Sequence, residues 1–236
     1  MVALADILQR QTVWRGAAAP ITLAEPAIPT GYAGLDAEFP GGGWPAGGLA
    51  EVLCRSEGIG ELQIVLPALA ALTAAGHRVA WLAPPHLPYA PALRAAGMHL
   101  GQLTVIRAPG RRDALWAAEQ ALRARSFHAL LLWLPQASYP ELRRLAVAAQ
   151  AGPGFALAFR PPEAACESSP AVLRLALETR EGQLAVHIMK RRGLPLAAPF
   201  PVPIERPVSK GPAGALGRAP FSAVPAPGAV ARACAA

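Results

Sequence analysis

Residues Glu57 to Leu62 read EGIGEL and lie between a strand-like run, Leu49 to Leu53, and the apolar stretch QIVLPALAALTAAG. A phosphate-binding P-loop takes that place in other chains. It reads GxxxxGK(S/T): backbone N–H groups wrap the phosphates, the Lys neutralises them and the hydroxyl holds magnesium. With Gly60 aligned to the second glycine, Glu61 stands where the Lys belongs and Leu62 where the hydroxyl belongs. Shifting by one residue puts Gly60 and Glu61 there instead, so neither register supplies the chemistry. A carboxylate beside a triphosphate is repelled by roughly 1 to 4 kcal/mol per pair of unit charges, and the attraction of the Lys is lost as well. No nucleotide binding is expected at the degenerate loop of Gly58, Gly60, Glu61 and Leu62. The two glycines are left to make a tight turn, where glycine supplies positive φ.

The second part of an ATPase is missing too. A P-loop ATPase ends a central strand with an acid that helps hold magnesium. Here LLLWLPQAS ends in Trp133, Leu134 and Pro135. His86 has no acid or nucleophile near it in sequence and reads as a loop histidine. Cys54, Cys166 and Cys234 lack CxxC spacing and suggest neither a zinc site nor a disulfide framework, which fits a reducing cytoplasm. The expectation is a protein that is not an enzyme and has no cofactor and no metal.

Charge points to an anionic partner. The net charge is +7 and the pI about 10.1, although only 16% of residues are charged. Lys190, Arg191 and Arg192 form the densest basic run, suited to phosphates or to an acidic protein surface. Arg111 and Arg112 are further candidates, with Arg123, Arg125, Arg143 and Arg144 more ordinary for helix faces. The five tryptophans are scattered, so stacking on single-stranded bases is not indicated.

The elements that would position these residues alternate in a βαβ rhythm. Strands are expected at 49–53, 78–83, 103–108, 128–134 and 154–161, with helices between them. Pro67 predicts a kink or a late start in the helix after the loop, because an interior proline costs about 3 kcal/mol. Continuously apolar strands separated by helices indicate a parallel sheet covered on both faces. AVLRLALETREGQLAVHIMKRR then reads as a β-hairpin. Residues 3–15 suggest an amphipathic helix, followed by a proline-containing connector, and the Pro/Ala-rich end reads as extended or disordered. The expected organisation is 1–27 helix and linker, 28–205 domain and 206–236 tail. No run of apolar residues reaches a membrane span and the amino terminus lacks a signal-peptide pattern, so a soluble cytoplasmic protein is expected.

The order of features resembles the RecA/Rad51 ATPase core over about residues 28 to 205. PTGYAGLDAEFPGGGWPAGGLAEV, HRVAWLAPPHLPYAPALRAAGMHLGQLTVIRAP, RRDALWAAEQALRARSFHALLLWLP and the late hairpin carry the likeness. That implies a RecA-like α/β fold: a mostly parallel twisted sheet, helices on both faces and a C-terminal antiparallel hairpin. GYAGLDAEFPGGGWPAGGLAEV and GIGEL together resemble the ImuA family. This resemblance implies an SOS-induced, DNA-damage accessory factor for translesion synthesis. Its partners would be RecA, ImuB and a DnaE-type error-prone polymerase, any DNA contact would be indirect or non-specific, and it would associate with the nucleoid. Lys190 and Arg192 stand where RecA carries a Lys-x-Lys pair that reaches a neighbouring protomer's nucleotide. Two alternatives stay open: an ATPase of the RecA superfamily with an unorthodox site, and a cell-division inhibitor of the SulA type. The last is a small RecA-related fold without a P-loop, and it implies a block of FtsZ polymerisation.

Overall fold

The structure, a computed structural model, describes residues 26–55, 60–180, 183–191 and 200–202. The expected amino-terminal helix at 3–15 and the expected tail at 206–236 lie outside the described residues. In chain order the elements are β1 (Ala27–Ile28), α1 (Ala33–Glu38), β2 (Trp44–Pro45), β3 (Leu49–Cys54), α2 (Leu66–Ala74) and β4 (Val79–Leu82). They continue with α3 (Ala90–Ala95), β5 (Leu103–Ile106), α4 (Arg111–Arg123), β6 (Ala129–Trp133), α5 (Tyr139–Ala149) and β7 (Phe155–Arg160). Last come β8 (Leu173–Arg180), β9 (Gln183–Lys190) and β10 (Phe200–Val202).

Eight strands form one sheet in the order β10-β9-β8-β3-β7-β6-β4-β5. Neighbours from β5 through β8 are parallel, and β9 and β10 join antiparallel. The parallel strands follow from their composition: ALLLW and VAWL are apolar on both faces and need cover on both. Ala50 and Val52 pack with Leu35, Leu69, Leu72 and Leu93 from α1, α2 and α3 on one face. Leu49, Leu130 and Leu132 pack with Ala114, Ala118, Leu142 and Leu145 from α4 and α5 on the other. Each fully buried leucine contributes about 1.5 to 3 kcal/mol relative to exposure. The chain is therefore a mixed α/β protein with a mostly parallel sheet, as its patterning predicts.

Pro67 acts as expected. A 3-10 turn at Glu61–Ile64 comes first, and α2 starts at Leu66 with Pro67 in its first turn, where a missing N–H costs nothing. Two features differ from the sequence reading. A two-stranded ribbon pairs β1 with β2, too short to leave a periodic signal. The proline-containing segment after the hairpin supplies β10, paired with β9 at the sheet edge, a place strands with proline tolerate. Gly154 allows β7 to enter beside β6, because a Cβ there would fall 2.4 Å from the carbonyl oxygen of His128.

One charge sits in the middle of this apolar sheet. Glu51 of β3 is wholly buried and lies opposite Arg174 of β8 in the parallel register. Its Oε2 accepts from Arg174 Nε at 2.6 Å and its Oε1 from Arg160 Nη1 at 3.2 Å. The two guanidinium groups also donate to backbone. Arg160 reaches Ala137 O at 2.8 Å, and Arg174 reaches Ala164 O at 2.7 Å and Glu167 O at 3.0 Å. Glu167 completes the cluster through Arg160 Nη2 at 2.8 Å. A buried carboxylate survives only when paired and hydrogen-bonded in this way.

Two predictions follow from this packing. Glu51→Ala leaves two buried guanidinium groups without their shared anion, and urea unfolding should show a loss of about 3 to 5 kcal/mol. Replacing Glu51, Arg160 and Arg174 together by apolar residues of similar size should recover most of that loss. At the other end of the sheet, the His77 and His128 rings stack at 3.8 Å. Burial, and then the charge of His77, lower the His128 pKa below its ordinary value. The folded state therefore resists the proton that the unfolded chain accepts, so stability is full above about pH 6.5 and falls as the pH drops through the lowered value. Melting temperatures measured from pH 7.5 to 5 should fall with acid, and less steeply in His77→Gln.

Candidate functional site

In a parallel α/β sheet, ligands meet the protein at the carboxyl ends of the strands. There β3 leads to the loop before Gly60, β4 to Ala83 and the prolines after it, and β6 to Leu134–Ala137. Gly60 is left-handed, with φ 99°, as a tight turn requires. Gly58 lies outside the described residues. Glu61 is buried and opens the 3-10 turn, and Leu62 packs against the core. The turn is also covered by the chain's own earlier segment. Gly31, at φ 89°, passes so close to Pro67 that a Cβ would meet it at 2.5 Å. Tyr32 donates its hydroxyl to Gln63 O at 2.9 Å, and burial raises its pKa. A P-loop needs free N–H groups at the start of an α-helix. This chain puts a 3-10 turn, a buried carboxylate and a tyrosine there.

Where a P-loop ATPase holds its magnesium acid, the end of β6 carries an aromatic layer. Trp133 stacks on Phe159 at 4.9 Å and tilts against Trp81 at 5.7 Å. Next to it lies a cavity of about 230 Å³ lined by Ala83, Ala108, Arg111, Leu115, Trp133 and Gln136, among others. Arg111, on its lining, pairs with Glu141. Burial raises the Glu141 pKa, but the Ser138 N–H and hydroxyl, each at 2.7 Å, and Arg111 at 2.5 Å outweigh that and hold it below the ordinary value. Arg111 is therefore half committed to an internal ion pair, whereas Arg112 is exposed and has no ion pair among the described residues. Glu119 binds both Arg123, at 2.7 Å, and Arg144. None of these groups is a nucleophile beside a base. Among the described residues no three His, Cys, Asp or Glu side chains gather as a metal would require.

The other basic candidates are not in this region. Lys190 donates to Ser169 O at 2.8 Å, and Arg191 donates to Glu38 O at 2.5 Å and Glu38 Oε2 at 2.8 Å. Arg191 thus fastens the end of β9 to the end of α1. Arg192 lies outside the described residues. The Glu51, Arg160, Arg174 and Glu167 cluster was missed in the sequence reading. Its signal was a single charge in each of three otherwise apolar runs, LAEVLC, FALAFR and LRLAL.

Comparison with known proteins sorts among the readings that remain. A family model described as cell division inhibitor SulA matches residues 47–156, just under half of the chain. Those residues run from the turn before β3, through the glycine loop, to the start of β7. The chain is similar to SulA. The cell division inhibitor SulA of Edwardsiella piscicida is 35% identical over 83 residues, which make up 35% of this chain and 49% of that protein. The chain thus spans about half the length of that curated relative. The crystal structure of SulA from Pseudomonas aeruginosa is 28% identical, with a TM-score of 0.41, and covers 50% of this chain and 99% of its own.

These matches correct the reading as an ImuA-type translesion factor, and with it the expected partners RecA, ImuB and the DnaE-type polymerase. The P-loop and translesion descriptions fall with it. The reason is physical. GYAGLDAEFPGGGWPA, which carried most of that likeness, precedes the matched residues and encodes a helix, glycine turns and a short ribbon rather than a partner surface. GIGEL encodes a strand-to-helix turn. The matched family is named for the inhibition of cell division. Among the described residues no helix is long and apolar enough to cross a membrane.

Because Leu62 and Trp133 also stand where a hydroxyl and an acid are needed, Glu61→Lys should leave ATP turnover at background in a coupled-enzyme assay. Turnover in that variant that depends on magnesium would contradict this account of the loop.

Proposed function

We propose that this protein is a SulA-type inhibitor of cell division that acts by binding, in the cytoplasm, during the response to DNA damage. The observation that carries the reading is the family match over 47–156. It spans the segment in which nucleotide-handling positions hold Glu61, Leu62 and Trp133 instead. The sheet with its antiparallel end is read as a RecA-related core without a nucleotide site. Such a core offers rigid surfaces and no chemistry, which suits an inhibitor that occupies its target. The target implied for this type is FtsZ.

A binder and a catalyst differ in stoichiometry. A light-scattering assay of GTP-driven FtsZ polymerisation should show inhibition that rises with the molar ratio and is complete near one inhibitor per FtsZ. It should need no ATP. Full polymerisation at a twofold excess of this chain would overturn the reading. Complete inhibition at a hundredth of the FtsZ concentration would overturn the binding mechanism.

A further inference from the structure

The flank of the sheet formed by α2, β4, α3 and β5 has an unusual charge pattern. Between Glu61 and Asp113 the sequence holds no carboxylate, yet it holds Arg78, Arg94, Arg107, Arg111 and Arg112. All five are exposed. Arg111 takes its counter-ion from α5, and the other four make no ion pair with any described residue.

β5 ends the sheet on this flank and, among the described residues, pairs only with β4. Edge strands are ordinarily blunted by lysine, proline, a bulge or a covering segment, because their free N–H and C=O groups template another strand. LTVI has no charge, no proline and an unbroken register with β4. Thr104 and Val105 are exposed. Beside them an open cleft of about 390 Å³ is lined by Pro84, Pro85, Leu87, Val105 and Arg107, among others. Leu87 is 74% exposed and Tyr89, the N-cap of α3, 71%. Among the described residues, an edge strand with no second neighbour, apolar side chains and arginines without ion pairs occur together here.

We infer that the free edge of β5, with Leu87, Val105 and Arg107, binds an acidic extended segment of a partner protein that adds to the sheet as a further strand. Backbone pairing supplies affinity in such additions, and side-chain pockets on alternate positions supply selectivity. One face of the added strand brings small apolar side chains to Leu87 and Val105. Carboxylates between them meet Arg107 and the arginines around it.

Charge selects this occupant over the nearer ones. A second copy would bring the same unmatched arginines and a net charge of +7. The chain's own undescribed ends fit no better. Residues 1–25 balance Asp6 and Glu25 against Arg10 and Arg15, and the segment after 202 has Glu205 against Arg206, Lys210, Arg218 and Arg232. The inference stands apart from the division-inhibitor reading, and either can fail without the other.

The test uses the full chain and three labelled ten-residue peptides in fluorescence anisotropy titrations at low salt. The first alternates valine or isoleucine with aspartate or glutamate, the second replaces the acids by lysine, and the third is the acidic peptide methylated at alternate backbone nitrogens. The expected result is saturable binding of the acidic peptide, at least tenfold tighter than the lysine peptide and lost on methylation. Arg107→Glu should weaken it at least fivefold while its circular dichroism and melting temperature match the parent. No saturable binding, equal binding of the lysine peptide, or undiminished binding of the methylated one would overturn the inference. So would sedimentation showing a dimer that Val105→Glu dissolves, since β5 would then be occupied by a second copy.

Discussion

The rest of the sheet is arranged around the pairing of Glu51 with Arg160 and Arg174. A carboxylate with no exposure to water is a large cost in isolation, and it is offset here only because two guanidinium groups converge on it from the strands on either side. Those same guanidinium groups reach onward to carbonyls of Ala137, Ala164 and Glu167. The cluster therefore fixes the lateral order β7-β3-β8, the place where parallel pairing hands over to the antiparallel end, and the 3-10 turn at Pro162–Cys166. A purely apolar centre would leave strand register less specified, because apolar side chains tolerate sliding more readily than a hydrogen-bonded charge.

At the carboxyl end of this sheet, packed side chains stand at positions that handle nucleotide in a P-loop ATPase. Trp133, Phe159 and Trp81 fill the ground where an ion would be held, and the Gly31–Tyr32 turn lies against the segment that would hold phosphates. Packed apolar side chains, Leu62 and Trp133, stand where a P-loop ATPase has its hydroxyl and its acid. What the fold still offers is surface, and the surface is basic. This is consistent with similarity to a family named for inhibition and with a mode of action that depends on occupancy.

Much of the architecture was legible in the sequence. ALLLW and FALAF are apolar at every position, which is how a strand buried on both faces must read, and Pro67 forced the late start of α2. That the loop lacks the Lys and the hydroxyl of a P-loop is a matter of residue type at Glu61 and Leu62, whatever the surrounding fold. The β1–β2 ribbon was not legible, because two residues give no period. The Glu51 cluster was not read because its members are far apart in the chain and meet only through strand order. Partner identity was misread for a related reason. Glycine turns and helix starts record how the chain bends, and proteins with different targets share them.

The central claim, that this chain acts by occupying a division protein, is tested most directly by sedimentation velocity of the purified protein mixed with FtsZ. The account predicts a new, faster boundary that saturates at a fixed molar ratio and does not change when ATP is added. Two independent boundaries at every ratio would contradict it.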